Sequence, residues 1–231
     1  NPALSNTFSN DYLTHRLSAG YRLKLGNWNL MARAALQSAS LNNRQEFPFG
    51  QEIDQRFLNW LPMAMARYRV GRGQNLRIFY RSSTDLPTIE QLQNVIDNSN
   101  PLQLSTGNPN LQQSVQHRLL GRYSRVMPRS GSLLVGLVSV STTRDYIAQS
   151  IWLPGSRTPL PDSLSIPTDA QFSRQENLDG HWNLRGLFTY GFPFAPLRSN
   201  INVDLSVQYV REPGRINYRL NFTRNWVPGM G

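Results

Sequence analysis

Residues 200–209 read NINVDLSVQY. Ile201, Val203, Leu205, Val207 and Tyr209 fall on one side of an extended chain, and Asn202, Asp204, Ser206 and Gln208 on the other. Unbroken alternation over ten residues is the signature of a two-faced strand. The pattern recurs along the chain. In HWNLRGLFTYGF (181–192), Trp182, Leu184, Phe188, Tyr190 and Phe192 oppose Asn183, Arg185 and Thr189. In RINYRLNFT (215–223), Ile216, Tyr218, Leu220 and Phe222 oppose Asn217, Arg219, Asn221 and Thr223. In HRLSAGYRLKL (15–25), Leu17, Ala19, Tyr21, Leu23 and Leu25 oppose Arg16, Ser18, Arg22 and Lys24.

Looser versions cover WNLMARAALQ (28–37), FLNWLPMAMARYRV (57–70), NLRIFYRS (75–82) and VQHRLLGRYS (115–124). SLLVGLVSVST (132–142) is apolar on both parities, which leaves its facing open. The reading is about nine strands and no substantial helix; TIEQLQNVI (88–96) is the one weak helical candidate.

The connections alternate in length. Residues 26–27, 71–74, 127–131 and 193–199 make short turns, whereas 42–56, 84–114 and 151–171 make long loops. Tight turns on one side and extended loops on the other describe an antiparallel up-and-down barrel across a membrane. Strands of a soluble sandwich usually run five or six residues, but these run ten or more, and a tilted strand needs about 9–11 to cross a bilayer. No apolar run approaches the ~20 residues of a membrane helix. In hydrocarbon every backbone group must pair internally, so the strands must close. Nine strands of this length form an arc, and the chain is expected to be one partial barrel domain over residues 1–231, part of a longer polypeptide.

The net charge of +10 comes from 24 basic residues, of which only Lys24 is lysine. Such a balance invites a nucleic-acid reading. The arginines, however, are spread through the strands without a dense patch, so nucleic acid is not an expected partner. On the polar parity, Arg16, Arg22, Arg67, Arg77, Arg118, Arg122 and Arg185 are candidates for a water-filled lumen, where they could hold an anionic substrate or pair with acidic groups. Trp28, Trp60, Tyr68, Tyr123, Trp182, Tyr190 and Tyr209 lie near strand ends. An apolar body with a polar tip suits such side chains to the membrane–water interface.

Within residues 80–124, Pro87, Ile89, Gln91 and Leu92 are followed by Asn100, Pro101 and Leu102, and then by Gly107, Asn108, Pro109, Asn110 and Leu111. This order, after a strand ending in Tyr-Arg, resembles the barrel region of TonB-dependent receptors of the Bacteroidetes type. Gln112-Gln113-Ser114 departs from the Lys-Pro-Glu common there. Residues 4–22 and 172–194 are similar to the same group. The resemblance implies a 22-stranded barrel in the bacterial outer membrane, filled by an N-terminal plug outside this chain and energised through TonB. Its implied role is uptake of an iron chelate, glycan, peptide or similar small nutrient.

No catalytic constellation is legible. There is no cysteine, the histidines His15, His117 and His181 are far apart, and neither a G-x-S-x-G elbow nor a phosphate-binding glycine loop occurs. No enzyme activity, cofactor or metal is expected. Two alternatives to the receptor stand beside it: a plugless outer-membrane barrel, porin-like or an assembly factor, and a soluble β-sandwich binding module.

Overall fold

The computed structural model describes residues 7–47, 51–157 and 169–231. Nine long strands run β1 (Thr7–Leu25), β2 (Trp28–Phe47), β3 (Gln51–Gly71), β4 (Gln74–Asp85), β7 (Ser114–Met127), β8 (Ser132–Arg144), β11 (His181–Phe194), β12 (Ser199–Ile216) and β13 (Arg219–Met230). Each pairs antiparallel with the next, giving a continuous meander. Four short strands bring the total to thirteen rather than about nine: β5 (Ile96–Asp97), β6 (Gln103–Thr106), β9 (Tyr146–Trp152) and β10 (Gln171–Leu178). They lie in two of the long connections and reach the meander through β9, which runs parallel to the end of β12.

Among the described residues the sheet is open, not a closed barrel. β1 pairs only with β2, and β13 only with β12.

Two connections differ from expectation. Residues 42–47 and 51–56 are strand, not loop: β2 and β3 stay in register through Ser40↔Arg56, Leu41↔Gln55 and Asn42↔Asp54. Residues 215–223 are not one strand: Asn217 and Tyr218 form a tight turn between β12 and β13, at φ 46° and 67°. Asn tolerates this left-handed region, but for Tyr it is uncommon. The surroundings hold it there. Asn217 N–H donates to the Ile151 carbonyl (2.9 Å), Asn217 Oδ1 accepts from Leu153 N–H (2.9 Å), and the Tyr218 ring meets Trp152 edge-on at 5.8 Å.

The register sorts the side chains into two faces. One cross-strand row reads Tyr21, Ala32, Ala64, Tyr80, Leu119, Val140, Leu184, Tyr209, Trp226, apolar or aromatic on all nine strands. On this apolar face Leu17, Tyr21, Trp60 and Trp226 remain 78%, 71%, 63% and 68% exposed. The facing of β8 is also settled, since Val138 and Val140 join the apolar face while Leu137 and Ser139 join the other.

The rows drift relative to the tight turns. The pair Leu25↔Trp28 adjoins its turn, Tyr68↔Leu76 lies two to three residues from the next, Tyr123↔Gly136 four, and Phe188↔Leu205 six. Over the five strand steps from β2 to β11 that is ~20 Å along the strands against ~24 Å across them. With the turns at one height, the strands tilt by roughly 40°, within the ~35–45° of closed membrane barrels.

Buried apolar clusters occur at the end away from the tight turns. Leu41 from β2, Leu92 and Leu111 pack with Phe57 and Ile147, and Leu104, Trp152, Ala170 and Phe172 pack with Ile96.

Candidate functional site

The polar face carries the chemistry. Arg16, Arg22, Arg67, Arg77, Arg118, Arg122 and Arg185 all fall on it by register, in several different rows. One row reads Lys24, Asn29, Arg67, Arg77, Arg122 across β1, β2, β3, β4 and β7. Arg67 is directly opposite Arg77, and Arg77 directly opposite Arg122. Four residues further along the strands, Arg81 faces Arg118. Like charges directly opposite on one face destabilise a strand pair.

Between these cationic rows runs an apolar stripe, Met31, Met65, Phe79 and Leu120, each half-buried. Sequence parity missed this stripe because it assigned one face to water outright. The signal was available in the two methionines and Phe79, which break the polar parity of their strands.

The cationic row borders a cavity of about 280 Å³ lined by Arg67, Asn75, Arg77, Arg122 and Ser124. A second cavity, of about 270 Å³, shares Arg67 and Asn75 and continues to Lys24, Asn29 and Arg69. Neither Lys24 nor Arg67, Arg69, Arg77 or Arg122 has a carboxylate partner among the described residues. Asp204 is the one described carboxylate in the half of the wall near the tight turns. It sits three strands from Arg122 and accepts from the Thr189 hydroxyl at 2.5 Å. Arg185 stands apart from the row, between Ser139 and Gln208. Arg16 donates instead to Gln37, whose amide donates to Thr84 Oγ1 at 3.0 Å.

The candidate interface aromatics Trp28, Trp60, Tyr68, Tyr123, Trp182, Tyr190 and Tyr209 all lie on the apolar face by register. The Trp28 and Tyr68 rings pack tilted at 32° with centroids 4.4 Å apart, and Tyr209 packs tilted on Trp226 at 4.6 Å. Trp28, Tyr68, Tyr123 and Tyr190 each lie within four residues of a tight turn.

At the opposite end the connection between β4 and β7 folds back onto the polar face of β2 and β3. Thr88 caps the single turn α1 (Ile89–Leu92): its hydroxyl accepts from Gln91 N–H, and the Gln91 side chain accepts from Thr88 N–H at 2.9 Å. Leu92 and Leu111 are fully buried, and Pro87 is buried with them. Gly107 lies on the carbonyls at the end of α1, donating to Gln93 O at 2.9 Å, and Asn108 N–H donates to Gln91 O at 2.6 Å. Any β-carbon at Gly107 would fall 2.3 Å from Gln93 O and 2.7 Å from two further carbonyls. The Asn108 side chain donates to the Gln175 carbonyl and accepts from Asn110 N–H, while Gln55 reaches the Pro109 carbonyl at 2.9 Å. The Pro87–Leu111 motif thus clasps β3, α1 and β10 together.

A meander of staggered, tilt-ready strands with one continuous apolar face and one arginine-bearing face defines a membrane β-barrel wall. The chain belongs to the outer membrane protein beta-barrel family, whose model matches residues 1–228. Its location is therefore the bacterial outer membrane. No curated protein matches it in sequence.

Proposed function

We propose that this wall belongs to a filled barrel, a TonB-dependent outer-membrane receptor that takes up a nutrient such as an iron chelate, glycan or peptide. The observation that supports the reading is the stripe of Met31, Met65, Phe79 and Leu120 on the face turned away from lipid. A water-filled pore leaves such a stripe wet, at a cost of about 25 cal/mol per Å² of apolar surface, whereas a body resident in the lumen covers it. The open sheet edges fit a larger barrel, which the resemblance of residues 80–124 puts at 22 strands. The lipid of the outer membrane covers the apolar face, a plug domain of the same polypeptide fills the lumen, and TonB supplies energy. The wall itself carries no reaction, cofactor or nucleic-acid contact in this reading.

The porin-like alternative predicts a different electrical behaviour. Full-length protein reconstituted in a planar bilayer is expected to be nearly silent, and uptake of its nutrient by cells is expected to stop when TonB is deleted. A steady open conductance together with TonB-independent uptake would favour the plugless barrel.

A further inference from the structure

We propose that the row Lys24, Arg67, Arg77, Arg122 is the docking face for an acidic polypeptide surface resident in the lumen. The inference rests on the filled-barrel reading above and adds the chemistry of the contact. Three observations carry it. Arg67, Arg77 and Arg122 occupy directly opposed positions, an arrangement that costs stability unless anions sit over it. No described carboxylate of this chain neutralises them. The two cavities beside them share Arg67 and Asn75 and present further hydrogen-bond donors, including Asn29.

The row also decides between kinds of anion. Met65, Phe79 and Leu120 run beside it, two residues along each strand. A small inorganic anion carries charge for the arginines but nothing for the stripe. A polypeptide surface with Asp or Glu flanking apolar side chains covers both, with guanidinium–carboxylate pairs at the row and apolar contacts next to it. Such pairs are shielded from bulk water, so their charges are screened less by salt than those of exposed pairs.

The test uses the full-length protein in its native membrane, with a photo-crosslinking amino acid placed at Arg77 in one variant, Arg122 in a second and Met65 in a third. Heat-dependent gel migration selects the variants that fold. The expected result is an adduct from positions 77 and 122 to one polypeptide segment, mapped by mass spectrometry, with two or more carboxylates within a few residues of the adduct. Replacing both arginines (R77E with R122E) is then expected to raise entry of a large, normally excluded antibiotic at least several-fold, and exchanging the mapped carboxylates for lysine to restore exclusion. An adduct at position 65 beside a neutral or basic segment at 77 and 122 overturns the acidic contact while leaving the filled barrel standing. Absence of polypeptide adducts at all three positions overturns both.

Discussion

Gly107 is pinned beneath three carbonyls at the end of α1, ahead of the turn that Leu111 N–H closes onto the Asn108 carbonyl at 3.2 Å. The stretch 88–96 reads as a weak helical candidate, of which only Ile89–Leu92 form a helix, so the carbonyls that crowd Gly107 are not legible in the sequence. Gly107→Ala is therefore expected to destabilise the clasp by about 1–3 kcal/mol, as overpacking does. Protease cutting within residues 86–113 of the full-length protein should speed up, and an unchanged cutting rate would refute the steric argument. The Asn217–Tyr218 turn was hidden for a related reason. Its alternation continues across the reversal, with Ile216 before and Leu220 after on the expected parity, and it lacks glycine. Asn217→Ala removes both the tolerance for positive φ and the bond to Leu153, a loss of about 1–3 kcal/mol. A denaturant titration in detergent can read this as a lowered midpoint at unchanged slope.

At the level of elements, the long strands were legible wherever one face meets lipid, because lipid enforces the alternation. The outer parts of β2 and β3 were not. Beyond Gln37, the polar face holds Ala39 and Leu41, buried at 1% and 2% exposure, and Leu41 packs on Leu92 and Leu111 of the β4–β7 connection. The opposite parity there, Ser38, Ser40 and Asn42, has no apolar character. The pattern inverts, and the stretch looks like loop. The connection that buries it is stabilised by caps at its start. Thr88→Ala is expected to cost about 1 kcal/mol of local stability, read as faster protease cutting within residues 86–113. Two carboxyls in it are held below the usual carboxylate range: Glu90 by its own backbone N–H and then the Thr88 hydroxyl, and Asp97 by the Ser99 backbone N–H and then its hydroxyl. A depressed pKa stabilises the fold above the unfolded value and ceases to do so as pH falls through the folded one. Cutting of this connection by an acid-active protease should thus rise as pH drops below ~4. In a Glu90→Gln, Asp97→Asn variant the rise should be flatter; an identical profile would remove these two groups from the account.

For the whole molecule, the two unpaired edges and the unbroken apolar face set the behaviour of residues 1–231 expressed by themselves. Edge strands recruit further strands, and an apolar sheet face of this extent is insoluble in water. The isolated segment is expected to precipitate without detergent; a monodisperse monomer in plain buffer would contradict a membrane wall. The arrangement of charge also belongs to this scale. Arginine after arginine along the strands looked evenly spread in sequence, and only the register gathers Arg67, Arg77 and Arg122 into one line. Cross-strand neighbours are distant along the chain, so no local pattern reports them.

The drift of the rows past the tight turns has a mechanical meaning. A line followed from Trp28 through Tyr68 and Tyr123 to Phe188 climbs by about six residues relative to the turns, or ~20 Å. Arg67, Arg77 and Arg122 of the polar face lie on a neighbouring line of the same slope. The wall is thus threaded like a nut. A body that kept its contacts along that line would turn as it advanced. A straight pull instead breaks every contact along the line together.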